Sequence, residues 1–455
     1  MLRSRILKAN PASLVLASFL LAIAAGAALL ILPVSTKNGS IPLIDALFTA
    51  TSAVCVTGLV VVDTGSYFTV FGQCVILALI QIGGLGVMTI SVALFRWIGR
   101  SISFRQRMAM QDLFAHTPRE DIFGLVKSIV LFTLGAEIIG AVFLSIHWSQ
   151  ELPFLRAVYT AIFHSVSAFC NAGFALFSDS MMRYRGDLLL NTVMCSLIIF
   201  GGIGFPVLYD IQSWLVSRKE KRVRLSIQTK TVLCTTFILI VSGALMFAFL
   251  ERQALVEAQS LPHRILTPVF QSITCRTAGF NTVDIASLKD ATLVMMIFLM
   301  FFGASPGSCG GGVKTTTLAL IAVFTFSRMR RRHRVNMFRK SIPHETVTRS
   351  VSLILVSISI IGAVLFLLLV GDSASGREVP GHHGSFLAYL YETVSAFGTV
   401  GLSMGVTSEL SVWGKFWIIF MMIIGRVGVL TFSYIIVGTG TTNGIEYSEE
   451  NLMIG

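Results

Sequence analysis

The chain is short of charge. Only 13% of its 455 residues are Asp, Glu, Lys or Arg, and the 23 acidic residues are outnumbered by 35 basic ones. A soluble protein of this length needs far more polar surface. With 54% hydrophobic residues and a mean hydropathy of +0.79, the composition excludes a cytosolic globular domain and points to a polytopic membrane protein. The seven cysteines form no CxxC pair and lie in apolar or glycine-rich segments, which argues against a disulfide framework and for packing. The eight histidines include no HExxH pattern, and His382-His383 reads as a solvated loop pair. No nucleophile–base arrangement and no ligand set for a catalytic metal is evident, so the sequence does not read as an enzyme. A net charge of +12 would suit a nucleic-acid binder, but the basic residues cluster between apolar runs, at Arg96 to Lys127, Arg218 to Lys230 and Arg328 to Arg349. With Arg3, Arg5 and Lys8 they follow the positive-inside rule. They put both termini and alternate loops in the cytoplasm, and no nucleic-acid partner is expected. The first apolar run, Pro11 to Pro33, is long enough to span and lacks a cleavage site, so it is expected to be a retained helix.

What the chain has instead is one short pattern written four times. Ser52-Ala53-Val54-Cys55-Val56-Thr57-Gly58-Leu59, Ser167-Ala168-Phe169-Cys170-Asn171-Ala172-Gly173-Phe174, Ile273-Thr274-Cys275-Arg276-Thr277-Ala278-Gly279-Phe280 and Ser395-Ala396-Phe397-Gly398-Thr399-Val400-Gly401-Leu402 share its shape. Each follows a short amphipathic run and lies between long apolar runs; the glycines recur roughly every 105 to 120 residues, a fourfold internal repeat. Thr399-Val400-Gly401 is nearly a potassium-filter sequence, in which backbone carbonyls replace an ion's hydration shell. Glycine tolerates the backbone angles that aim carbonyls at an axis.

The expected boundaries are 1–100, 101–220, 221–335 and 336–455, one membrane–pore–membrane unit each. In the first unit an apolar helix at 12–32 leads to a pore helix at 42–53 and a second helix at 69–98. Pro153 opens the second pore helix, Pro262 and Pro268 flank the third, and the fourth is expected at 385–396, before an apolar helix at 412–438. A run of 10–14 residues is too short to span, as a re-entrant helix must be. Eight spans and four half-spans result, an all-α polytopic fold around a central pore. After the filters come Asp63, Ser178-Asp179, Asp284 and Thr407-Ser408-Glu409; the first three carboxylates could concentrate cations at an outer mouth or cap the following turns.

The second helix of the third unit is broken by Gly303, Pro306, Gly307, Gly310, Gly311 and Gly312, ahead of Lys314, within 303–317. A discontinuous segment at mid-membrane depth points to a functional site. Gly307 to Thr315 is not a phosphate loop, because Val313 separates Gly312 from Lys314. Arg426, in an otherwise apolar span, is costly to bury without water or a counter-charge. Arg276 is expected to brace the third filter from behind, since a guanidinium in the ion path would repel a cation. The clusters Gly83-Gly84-Leu85-Gly86 and Gly201-Gly202-Ile203-Gly204 read as places of close helix approach or a flexible seam.

Four such units, each with one filter glycine, resemble the Trk/Ktr/HKT superfamily of potassium uptake proteins over essentially the whole chain. The likeness is greatest to the membrane (KtrB-type) subunit of the Ktr branch, since no extra N-terminal helical hairpin is expected before the first unit. The resemblance implies K+ rungs at Val56, Thr57 and Gly58; Asn171, Ala172 and Gly173; Thr277, Ala278 and Gly279; and Thr399, Val400 and Gly401. It also implies an intramembrane gate loop with Arg426 as an electrostatic barrier beside it, Na+ as a stimulating ion, a homodimer in the lipid of the cell (plasma) membrane, and a cytoplasmic nucleotide-binding (KtrA/KtrC-type) regulatory ring. The rival reading is a secondary transporter of an organic solute, which explains the broken helix but not the four filter-like copies.

Overall fold

The computed structural model describes residues 11–86, 122–216, 224–257, 260–332, 334–375 and 384–429. The first unit comprises α1 (Pro11–Ile31), α2 (Leu43–Val54) and α3 (Val70–Leu85). The second holds α4 (Ile122–Trp148), α5 (Phe154–Phe169), α6 (Leu188–Ile203) and α7 (Phe205–Val216). The third is α8 (Ile227–Leu250), α9 (Leu261–Thr274), α10 (Asp290–Phe301) and α11 (Thr315–Met329). A small antiparallel pair follows, β1 (Val335–Met337) and β2 (Lys340–Ile342), the one departure from helix among the described strands and helices. The fourth unit is α12 (His344–Ser375), α13 (Ser385–Gly398) and α14 (Val412–Val427).

Local chemistry explains the element starts. Pro42 and Pro153 stand immediately before α2 and α5, where a missing N–H costs nothing. Thr69, Asp187 and Ser411 each accept a backbone N–H from the first turn of α3, α6 and α14. Proline at 268 departs from expectation: α9 starts at Leu261, so Pro262 sits in its first turn while Pro268 lies inside the helix rather than flanking it.

Among the described residues three helices are long and apolar enough to cross a membrane: Val126–Trp148, Ile227–Leu250 and His344–Ser373. Leu188–Ile203 with Phe205–Leu215 makes a fourth span only as a pair bent by 96°. The expected uninterrupted second helices are not seen. α3 and α14 stop at Leu85 and Val427, and the expected continuations to 98 and 438 fall largely outside the described residues. Glycines at 86, 204 and 428 take φ of 81°, 99° and 93°, a left-handed turn no helix interior tolerates. Both termini and His382-His383 also lie outside the described residues.

Packing runs in a cycle. α3 packs on α5, α6 on α9, α10 on α13 and α14 back on α2, so every second helix supports the next unit's pore helix. The closing contact carries an ion pair, Lys415 Nζ to Asp45 Oδ1 at 2.6 Å, between groups largely removed from water. Large apolar side chains of α4, among them Leu131, Ile138 and Ile146, face outward as a lipid-facing surface requires.

The second helices approach the pore helices closely because of glycine. A methyl added at Gly83, Gly201 or Gly425 would land on the carbonyl oxygen of Val54, Phe169 or Phe397. Gly201→Ala should therefore lower stability by about 2 kcal/mol or more through overpacking. Gly135→Ala in α4, where nothing stands within 4 Å of the new methyl, should be neutral or stabilising by about 0.5 kcal/mol. Thermal unfolding of the purified protein in detergent checks both, and equal midpoints would contradict the close approach.

Candidate functional site

The four glycines meet. A methyl placed on Gly58 would lie 3.0 Å from the Cα of Gly173; on Gly173, 2.9 Å from that of Gly279; on Gly279, 3.3 Å from that of Gly401; and on Gly401, 3.0 Å from that of Gly58. The same four positions abut the carbonyl oxygens of Ala172, Ala278, Val400 and Thr57, each from the residue before the neighbouring unit's glycine. Segments more than a hundred residues apart thus close into a ring of backbone.

The ring's conformation repeats with its composition. Val56, Asn171, Thr277 and Thr399 have φ of 56°, 57°, 76° and 49°, and the glycines two residues later have φ of 90°, 69°, 82° and 94°. Non-glycine residues are strained there, and four equivalent outliers at one place mark a site held by its surroundings. The N–H groups are directed backwards: those of Thr57, Ala172 and Val400 donate to the carbonyls of Ser52, Ser167 and Ser395 at 2.7–2.8 Å, and that of Ala278 to Thr274 at 2.9 Å. Gly58 and Gly401 N–H donate to the hydroxyls of Ser52 and Ser395 at 3.1 Å. Donors consumed behind the ring leave it lined by acceptors, the chemistry a desolvated cation requires.

Beneath the ring lies the break in the third unit. α10 ends at Phe301 and α11 begins at Thr315, with the glycine-rich loop between them. The loop is laced to both neighbouring units. Ser305 and Cys309 N–H donate to the Gly202 and Gly201 carbonyls at 3.1 Å, and Gly307 O accepts from Phe205 at 2.9 Å. Gly312 N–H donates to Gly425 O at 3.2 Å, and Gly311 N–H reaches the Thr399 hydroxyl in the ring itself at 2.8 Å. Gly303 and Gly310 have no room for a side chain because Thr277 stands against them. Pro306 abuts the turn at Gly204, and it also lines a cavity of about 800 Å³ with Thr316, Thr317 and Lys340.

Two cations are held inside. Lys314 Nζ donates to the carbonyls of Gly310 (2.8 Å) and Gly311 (3.3 Å), folding back over the loop. Arg426 donates through one terminal nitrogen to Cys309 O in the loop and through the other to Gly83 O of α3. None of the ion pairs among the described residues includes Arg426, so backbone carbonyls solvate it. Arg276 points away from the ring to Thr236 of α8, whose hydroxyl and carbonyl lie 3.3 and 3.5 Å away. Downstream of the filters, Asp63 and Asp284 accept N–H groups of the next turn, and Asp179 pairs with Arg183 at 2.9 Å. Sequence reasoning missed the breaks at Gly86, Gly204 and Gly428. Their signal was the shared Gly-x-x-Gly spacing of Gly83–Gly86, Gly201–Gly204 and Gly425–Gly428.

Comparison with known proteins agrees over nearly the whole chain. The family described as TrkH, cation transport protein, matches residues 7–438. The chain is 42% identical over 450 residues to the Ktr system potassium uptake protein B of Vibrio alginolyticus, covering 98% of this chain and 96% of that one. To the protein of the same name from Bacillus subtilis it is 38% identical (98% and 97% covered), and to the potassium/sodium uptake protein NtpJ of Enterococcus hirae 36% (98% and 97%). Its fold is similar to the crystal structure of the potassium transporter TrkH from Vibrio parahaemolyticus, with a TM-score of 0.70 at 19% identity over 94% of this chain and 84% of that one. This chain belongs to the TrkH family of cation transport proteins, multi-pass helical membrane proteins that are transporters rather than enzymes.

Proposed function

We propose that the chain takes up potassium through the ring of Gly58, Gly173, Gly279 and Gly401, with rungs also from Val56, Thr57, Asn171, Ala172, Thr277, Ala278, Thr399 and Val400. The observation that carries this reading is the closed contact of the four glycines, with backbone donors turned away from it. The names of the relatives support potassium as the ion, and that of the Enterococcus protein keeps sodium in view as a second or stimulating ion. The four units, 1–100, 101–220, 221–335 and 336–455, are quadrants around one pore. Inward flow is driven by the membrane potential, about 2.3 kcal/mol per charge per 100 mV.

The loop of Gly303, Pro306, Gly307, Gly310, Gly311 and Gly312, with Lys314, is the gate, and Arg426 latches it. The relatives' names place them in Ktr systems; with the resemblance read from the sequence, the chain is a homodimer in the plasma membrane, both termini cytoplasmic, docked on a nucleotide-binding regulatory ring.

Rubidium uptake into proteoliposomes tests the transport reading, and vesicles that take up none overturn it. Gly58→Ser places a side chain at φ 90° against the Ala172 carbonyl, so the ring must deform there. Preference for rubidium over sodium should fall about tenfold, as expected for about 1.4 kcal/mol of lost discrimination; unchanged affinities for both ions would remove Gly58 from the filter.

Excising Gly310-Gly311-Gly312 removes the lacing to Thr399 and Gly425. Flux should rise without any regulatory partner, whereas zero flux through a well-folded variant would contradict the gate.

Arg426→Gln removes a charge that, beside the path, opposes a cation by about 4 kcal/mol at 4 Å and an effective dielectric of 20. It also weakens the latch on Cys309. Maximal uptake per folded molecule should increase while rubidium-over-sodium preference is retained, and an unchanged maximum would exclude Arg426 from gating.

A further inference from the structure

A buried carboxylate that the pore as described does not use lies behind the fourth filter segment. Glu392 in α13 is fully buried and belongs to none of the ion pairs among the described residues. It accepts the Ser403 hydroxyl on one carboxylate oxygen and the Thr407 hydroxyl, at 2.9 Å, on the other. Both donors belong to the chain leaving the ring after Gly401. One side chain therefore ties the pore helix to the exit of its own filter.

The position has counterparts. Glu392 stands nine residues before its filter glycine, and His164 stands nine before Gly173. His164 Nδ1 faces the Thr160 carbonyl at 2.8 Å, and Nε2 accepts the Leu176 N–H at 3.2 Å, three residues past the glycine. In the third unit Gln271, eight residues before Gly279, donates to the Thr282 hydroxyl at 3.2 Å, again three past the glycine. The first unit differs: Thr49, nine before Gly58, is buried with a hydroxyl that has no partner. There Gln73 of α3 holds the exit instead, through the carbonyls of Thr64, Gly65 and Phe68.

We propose that Glu392 is a positioning residue for ion selection: its carboxylate clamps the outer end of the fourth filter segment, while His164 and Gln271 do the same, more weakly, for the second and third. The proposal rests on the pore reading and deepens it. Each carboxylate oxygen accepts one hydroxyl, whereas an amide in its place would turn N–H donors toward one of the two. Glu392 holds the exit through two hydroxyls, where His164 and Gln271 each make one contact to theirs, so the fourth segment is held more firmly than the others.

The test uses the full chain in proteoliposomes, with rubidium uptake measured alone and against competing sodium. Glu392→Gln is expected to lower rubidium-over-sodium preference about tenfold, and Glu392→Asp to recover part of it. Thr407→Val should shift preference in the same direction, and combining it with Glu392→Gln should add little, because both remove one interaction. Thr49→Val, at the equivalent unclamped position, should leave preference unchanged. A merely structural role predicts less folded protein or a lower maximal rate at unaltered preference, and that result overturns the proposal. Should Glu392→Gln fail to fold, Ser403→Ala and Thr407→Val carry the test, and wild-type preference in both overturns it. Wild-type vesicles without rubidium uptake overturn the pore reading itself; wild-type uptake with insensitive variants overturns only the clamp.

Discussion

Backbone carbonyls released from secondary structure are the constraint on which this molecule depends. At membrane depth an unsatisfied peptide group costs several kcal/mol, so helices normally consume all of theirs. Here α3, α6, α10 and α14 stop at Leu85, Ile203, Phe301 and Val427, and each stop frees carbonyls. The structure spends those of Gly83, Gly201, Gly202 and Gly425 on the loop and on Arg426. The ring above keeps its carbonyls for a ligand, which is possible only because its N–H groups are tied to the pore-helix ends behind it. One economy of donors and acceptors therefore links the ring, the broken loop and the arginine.

That economy explains the glycines better than flexibility does. Gly83, Gly201 and Gly425 stand where a side chain would strike the backbone just before each ring segment. Three residues on, Gly86, Gly204 and Gly428 take a left-handed conformation and end the helix. The first glycine of each pair brings the second helix against the filter, and the second ends it at a common depth. Close packing and helix breaking are separate requirements met by one spacing.

The ring was legible in the sequence because its requirements are local: a hydroxyl on the preceding helix, a polar or β-branched residue, then glycine, four times over. The broken third helix was legible because a proline and several glycines leave no alternative. The other breaks were not. Hydropathy continues through Leu85-Gly86-Val87 and Val427-Gly428-Val429, and an apolar run carries no mark of a helix end when a single glycine makes it. Pro268 was misplaced for a related reason: a proline signals a helix start or a helix fault, and only the helix length decides which. That Arg426 would seek carbonyls of the broken loop was legible, and Cys309 O is one of them. Its second partner, Gly83 O, and the pairing of Glu392 with Ser403 and Thr407 were not, since residues far apart in the chain or on separate elements carry no local mark of contact.

The units are equivalent in the ring but not beneath it, and the geometry of the cycle accounts for the difference. The loop belongs to the third unit, so it reaches its two neighbours directly: Gly201 and Gly202 of the second, Gly425 and Thr399 of the fourth. The first unit lies across the cycle, where no loop N–H reaches it, yet the Gly83 carbonyl at the end of its α3, which already takes the Gly86 N–H at 3.1 Å, has capacity for a second donor. A long cationic side chain from the fourth unit bridges that gap, with one guanidinium nitrogen on Gly83 O and another on Cys309 O. Arginine suits the task because its planar fork presents several donors in fixed directions and stays charged when buried. A lysine there would offer a single point charge, as Lys314 does where both of its acceptors lie within the loop. The arginine thus completes, for the first unit, the lacing that the loop's own N–H groups supply to its neighbours, so any displacement of the loop breaks contacts with all three other units.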